Sequence, residues 1–190
     1  MSREMTLGRA LLPEASLLTK AALAVAGSFL VALGAQVEVP MFPVPMTLQT
    51  LAIAVIGLSI GWRMAGATLV LYLVEGAAGL PVFAGGKAGA VHLMGPTAGF
   101  LYGFVLQAVL TGFMVEKGLS NGPAKLFIAA LIPAALLYVP GLAWLWAMTS
   151  MDLQTTINVG ALPFLIGDVV KAALAALSVA GLLNLVKARG

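Results

Sequence analysis

The sequence predicts an all-α integral membrane protein with six transmembrane helices and both termini on the cytoplasmic side. Three observations predict it. The first is composition: of 190 residues, 61% are hydrophobic and 9% charged, with a mean hydropathy of +1.06. A soluble domain carries roughly 45–50% apolar and about 25% charged residues, so this chain has too few charges to cover a surface in water. The second is the recurrence of apolar runs near the length a bilayer demands, about 20 residues with a range of roughly 17–25. The third is the placement of Lys and Arg, which gather in cytoplasmic connections. Eight of the ten fall on one side of the predicted topology: Arg3, Arg9, Lys20, Arg63, Lys117, Lys125, Lys187 and Arg189.

Each span follows from where the charges interrupt the apolar sequence. The first covers residues 17–35; with five further apolar runs behind it and no clear small-residue cleavage site, it reads as a retained helix, not a signal peptide. The second, 47–60, is short, and the third is 62–78. The fourth, 96–115, opens with Pro96, a residue suited to a first helical position. The fifth covers 124–142 and the sixth 162–186. The whole chain, 1–190, then forms a single transmembrane domain. Trp62 falls at the inner interface, and Trp144 and Trp146 at the outer one, where aromatic belts sit. The outer connections, 36–46, 79–95 and 143–161, are unusually apolar; the first holds Pro40, Pro43 and Pro45, and the second reads GLPVFAGGKAGAVHLMG. Segments of this kind are expected to pack over something.

Composition excludes a soluble enzyme, a disordered chain and a nucleic-acid binder. The absence of cysteine removes disulfides, thiolate metal sites and Cys nucleophiles. A lone His92 argues against a histidine metal cluster, so no metal and no resident cofactor is expected. The GGKAG run at 85–89 lacks the earlier glycine and the Ser/Thr of a phosphate-binding loop, and no nucleophile–base constellation is visible. Enzymatic activity is therefore not expected, and energy for any pumping must come from a partner or an ion gradient.

Ionisable residues inside a membrane are costly and mark function by default. Asp168 and Lys171 share a face of the sixth span at i, i+3 spacing. At the helical rise they lie about 9 Å and about 13 Å below its outer end. Glu75 stands about one turn below the outer end of the third span, and Thr47 and Gln49 open the second. The set describes a pocket in the outer half of the membrane, closed by the outer connections. Each member has a second reading. Asp168 and Lys171 also make sense as a structural pair, Glu75 as a solvated interfacial acid or an acceptor for a loop N–H, and Gln49 as a partner for free N–H groups at a helix start. Lys87 reads as a solvated loop charge or a lid cation for an anionic ligand, Phe83 as packing or a lid contact, and His92 as an ordinary loop residue. Ala22 and Ala26 have the small-xxx-small spacing that permits close helix approach, within a chain rich in alanine.

Four segments in order, VPMTLQT at 44–50, GLPVFAGG at 79–86, GPT at 95–97 and GDVVK at 167–171, resemble the BioY family of biotin transporters. These are the substrate-capture (S) components of energy-coupling-factor (ECF) transporters. The resemblance covers about residues 20–187. It implies the six-helix S-component fold, high-affinity capture of biotin from outside across the cytoplasmic (inner) membrane, and a partner module of one transmembrane coupling subunit and two ATPases. It implies that Asp168, Lys171, Gln49, Thr47 and Phe83 look toward the ligand, and that Ala22 and Ala26 face the coupling subunit. The sequence departs from the family's GPTGGY, carrying Ala98-Gly99-Phe100 after GPT, so no tyrosine hydroxyl is available at Phe100.

Biotin suits the polar set. Its ureido ring offers two N–H donors and a carbonyl acceptor, its bicycle is apolar, and its tail ends in a carboxylate. Asp168 can accept from the ureido N–H, Lys171 can donate to the carbonyl, and Lys87 can meet the carboxylate. Charge-assisted hydrogen bonds are roughly twice as strong as neutral ones. Two other readings stay open: a stand-alone secondary biotin transporter with Asp168 and Glu75 as proton carriers, and a non-transporting membrane scaffold.

Overall fold

The structure, a computed structural model, describes residue 8 and residues 16–188. Arg3, Arg9 and Arg189 of the predicted inner charge cluster lie outside them. Among residues 16–188 eight α-helices follow in order: α1 Leu17–Gln36, α2 Gln49–Ile60, α3 Trp62–Ala77, α4 Ala98–Glu116, α5 Pro123–Leu136, α6 Tyr138–Met148, α7 Leu153–Gly160 and α8 Leu165–Lys187. A small antiparallel hairpin, β1 Glu38–Val39 with β2 Met46–Thr47, joins α1 to α2.

The helices of membrane-crossing length show almost no amphipathic contrast, apolar residues standing on their exposed faces as well as their buried ones. In α1, Ser28, Val31, Ala32 and Ala35 are buried against α2 and α3, while Leu17, Leu18, Val25 and Phe29 are exposed. Ser16 caps the helix, its hydroxyl accepting from the Thr19 N–H at 3.2 Å. α4 occupies the centre and packs on α2, α3, α5 and α6. Its close approach to α6 depends on two glycines: a Cβ at Gly99 would stand 2.3 Å from Cβ of Trp144, and one at Gly103 2.4 Å from Cδ1 of Leu137.

Among the described residues four stretches are long and apolar enough to cross a membrane: Leu17–Gln36, Ala98–Glu116, Pro123–Met148 and Leu165–Val186. The predicted second and third spans are helical but short. The 12 residues of α2 and the 16 of α3 rise about 18 Å and about 24 Å, against a hydrocarbon core of about 30 Å. Gly61, at φ 79°, makes the tight turn between them.

The predicted third outer connection differs most from expectation. The fifth helical stretch runs on past residue 142 to Met148, and much of the remainder folds as α7. Pro140 lies in the first turn of α6, where a missing N–H costs little, so it does not end the helix. α7 forms because Asp152 caps it, accepting from the Thr155 N–H and hydroxyl, each at 2.8 Å.

Two clusters divide the interior. One is rich in alanine (Ala54, Ala129, Ala130, Ala172, Ala175, Ala176) and lets α2, α5 and α8 pack closely. The other is aromatic, with Tyr72, Phe83, Phe100, Phe104 and Phe164. The large aromatic rings and the two outer connections enclose a cavity.

Candidate functional site

The cavity encloses about 850 Å³ of space, its open mouth included. Four buried or half-buried polar residues from three stretches of chain meet on its wall. Asp168 lies in the first turn of α8, where the helix dipole favours an acid, and only 6% of it is exposed. Lys171, one turn on and 8% exposed, places Nζ 3.2 Å from Asp168 Oδ1. The same Nζ donates to Thr50 Oγ1 at 3.2 Å, and Thr50 Oγ1 is 3.3 Å from Asp168 Oδ1. Tyr138, at the start of α6, donates its hydroxyl to Asp168 Oδ2. The carboxylate thus accepts from three side chains, while the ammonium keeps one donor beyond Asp168 and Thr50 for a ligand.

The rest of the wall is largely apolar. Phe100, Phe104, Leu137 and Phe164 line it, and Pro43, Val44 and Pro45 approach from the hairpin. Phe100 stands edge-on to the Tyr138 ring at a centroid distance of 6.5 Å. Tyr138, beside Phe100, brings a hydroxyl to this part of the wall.

A second polar chain ties the two outer connections together. Thr47 donates to Gln49 Oε1 at 2.9 Å. Gln49 Nε2 donates to the Tyr72 hydroxyl at 2.8 Å, which donates to the Val82 carbonyl at 2.9 Å. The buried Gln49 and Tyr72 thus fasten the 79–95 segment to the hairpin end. Phe83, 3% exposed, inserts between Tyr72 and His92 with edge-on contacts of 5.6 and 6.2 Å. It fits because residue 76 is glycine: a Cβ there would lie 2.1 Å from Phe83 Cζ. Gln36 Nε2 holds the Phe83 carbonyl at 3.2 Å.

Six of the seven predicted pocket residues line this cavity: Asp168, Lys171, Gln49, Thr47, Phe83 and Lys87. Glu75 does not line it. Its carboxylate accepts the Ser28 hydroxyl and joins α3 to α1. Tyr72 and Glu75 are three residues apart, which sets their side chains about 60° apart around the helix, so Tyr72 turns toward the 79–95 segment and Glu75 toward α1. His92, read from sequence as an ordinary loop residue, borders the cavity. Thr50 and Tyr138 were not foreseen. The signal for Tyr138 was a phenol inside an apolar run, whose hydroxyl needs a partner when buried. Ala22 and Ala26 lie exposed on α1.

Comparison with known proteins places this geometry in a family. Residues 4–188 match the BioY family. The chain is 33% identical over 146 residues to the probable biotin transporter BioY of Pyrococcus horikoshii, covering 77% of this chain and 85% of that one. It is 38% identical over 159 residues to the biotin transporter BioY of Rhodobacter capsulatus, covering 76% and 82%. The fold superposes on the crystal structure of the S-component for biotin from an ECF-type ABC transporter with a TM-score of 0.78 and 23% identity, covering 90% of this chain and 95% of that one. The chain belongs to the BioY family.

Proposed function

We infer that this protein is the biotin-capturing S component of an ECF transporter in the cytoplasmic membrane. The observation that carries the reading is the buried Asp168–Lys171 pair, set with Thr50 and Tyr138 in the wall of an otherwise aromatic cavity. In this reading Asp168 accepts a ureido N–H and Lys171 donates to the ureido carbonyl. The bicycle lies against Phe100, Phe104 and Phe164, and the carboxylate meets Lys87 at the loops. Thr47, Gln49 and Phe83 hold the cover in place. A ligand without the ureido group leaves a buried charged pair without its added partners, a penalty of about 1–3 kcal/mol or more.

The proposed topology has six crossings with both termini on the cytoplasmic side, the short α2 and α3 included. α1 then presents Ala22 and Ala26 to a transmembrane coupling subunit that two ATPases drive. The reading with Asp168 and Glu75 as proton carriers has less support, because Ser28 engages Glu75 away from the cavity.

The test is a calorimetric titration of the detergent-purified protein with biotin, beside the Asp168→Asn variant. Tight binding that the variant loses supports the reading. A folded, monodisperse wild-type sample that ignores biotin refutes it.

A further inference from the structure

The cavity does not end at the loops that cover it. A second chamber of about 910 Å³, its open mouth included, adjoins it on the outer side, and Pro43, Pro45, Lys87 and His92 line both. The two differ in chemistry. In the inner chamber Asp168 and Lys171 engage each other and form the one ion pair among the described residues. In the outer chamber the Glu38 carboxylate and the Lys87 ammonium border the same space with no ion pair between them. Thr149 also borders it, its hydroxyl donating to the Leu145 carbonyl at 2.8 Å. Glu38 lies over the loop: its Oε1 is 3.1 Å from where a Cβ on Gly85 would stand, and Gly85 has φ 67°. A loop of larger residues would strike that carboxylate.

The biotin reading above puts the ureido ring on Asp168 and Lys171 and the carboxylate at Lys87, a residue that borders both chambers. We propose that the outer chamber is a subsite for what is joined to that carboxyl group, so that the protein also captures biotin amides ending in an amino acid. The inference rests on the biotin reading above. Amide formation removes the tail charge, which leaves Lys87 without its anion. A zwitterionic extension restores one, its carboxylate meeting Lys87 and its ammonium meeting Glu38. A simple alkyl amide offers neither charge.

The test titrates the full chain in detergent with biotin, Nε-biotinyl-lysine and biotin methylamide, using wild type, Glu38→Gln and Asp168→Asn. The lysine conjugate is expected to bind within about tenfold of biotin and more tightly than the methylamide. Glu38→Gln is expected to weaken the lysine conjugate about threefold, the size of a solvent-screened charge pair, and to leave biotin and the methylamide unmoved. Asp168→Asn is expected to abolish binding of all three. A lysine conjugate more than about tenfold weaker than biotin, or no tighter than the methylamide, or unmoved by Glu38→Gln, overturns the subsite. Failure of biotin itself to bind folded wild type overturns the reading beneath it as well, and is seen separately in the biotin arm.

Discussion

Lys171 Nζ stands 3.2 Å from Asp168 Oδ1, one turn away on α8, and neither side chain is more than 10% exposed. Their support is unequal. Without Lys171, Asp168 still accepts from Thr50 and Tyr138; without Asp168, Lys171 keeps only Thr50. Removing one partner of a buried pair costs about 3–5 kcal/mol, because the other charge stays buried. Asp168→Asn is therefore expected near the top of that range and Lys171→Met below it. The double variant should recover much of the loss without regaining biotin binding. Unfolding in detergent, followed beside calorimetry, checks this. Equal single costs, or a double variant no more stable than Asp168→Asn, would contradict the pairing.

Tyr138→Phe isolates the hydroxyl, since the ring and its contact with Phe100 remain. A hydrogen bond to a charged group contributes about 1.5–3 kcal/mol. Biotin affinity is expected to fall by about tenfold or more, with thermal stability changed less than in Asp168→Asn. An unchanged dissociation constant would show that Asp168 needs no phenol to hold its ligand geometry.

The charged residues were legible in the sequence because a membrane makes charge rare and expensive, so Asp168 and Lys171 stood out in an apolar span. Thr50 and Tyr138 did not, since a hydroxyl within an apolar run is common and acquires meaning only from what faces it. Glu75 shows the limit of position along a helix as a guide: which way its side chain turns depended on how α1 packs on α3. The hidden α7 had a readable sign in Asp152 followed by Thr155, an N-cap pattern masked by the apolar character of its surroundings. Residues 138–148 continued the fifth helical stretch because Pro140 falls where a proline is tolerated.

Gly76 and Phe83 make a prediction about the cover. Gly76→Ala places a methyl group where the Phe83 ring now lies, 2.1 Å from Cζ. The Gly76 carbonyl also accepts the Gly89 N–H at 2.8 Å, so the glycine anchors the same loop. Overpacking of this kind costs about 1–3 kcal/mol. It is expected to appear as faster biotin release, because the displaced ring leaves its seat between Tyr72 and His92. Stopped-flow dissociation measures it. The companion variant Gly76→Ala/Phe83→Leu, with a smaller side chain, should slow release again; if it does not, the clash is not the cause.

Asp152 supplies the pH dependence. The Thr155 backbone N–H, then the Thr155 hydroxyl, hold its carboxyl below the usual 3.8. A group whose pKa is lower in the folded state stabilises that state above the unfolded value and loses the contribution as pH falls through the folded one. The cap should therefore be intact at neutral pH and weaken only below 3.8. Hydrogen exchange across α7, Leu153–Gly160, is expected to stay protected down to that range and to open beneath it. Asp152→Ala should show the open pattern at neutral pH, with exchange across α8 unchanged. The fully exposed carboxylate keeps the effect local to α7. Loss of protection well above 3.8, or an Asp152→Ala variant that exchanges like wild type, would show that packing on α6 holds the helix instead of its cap.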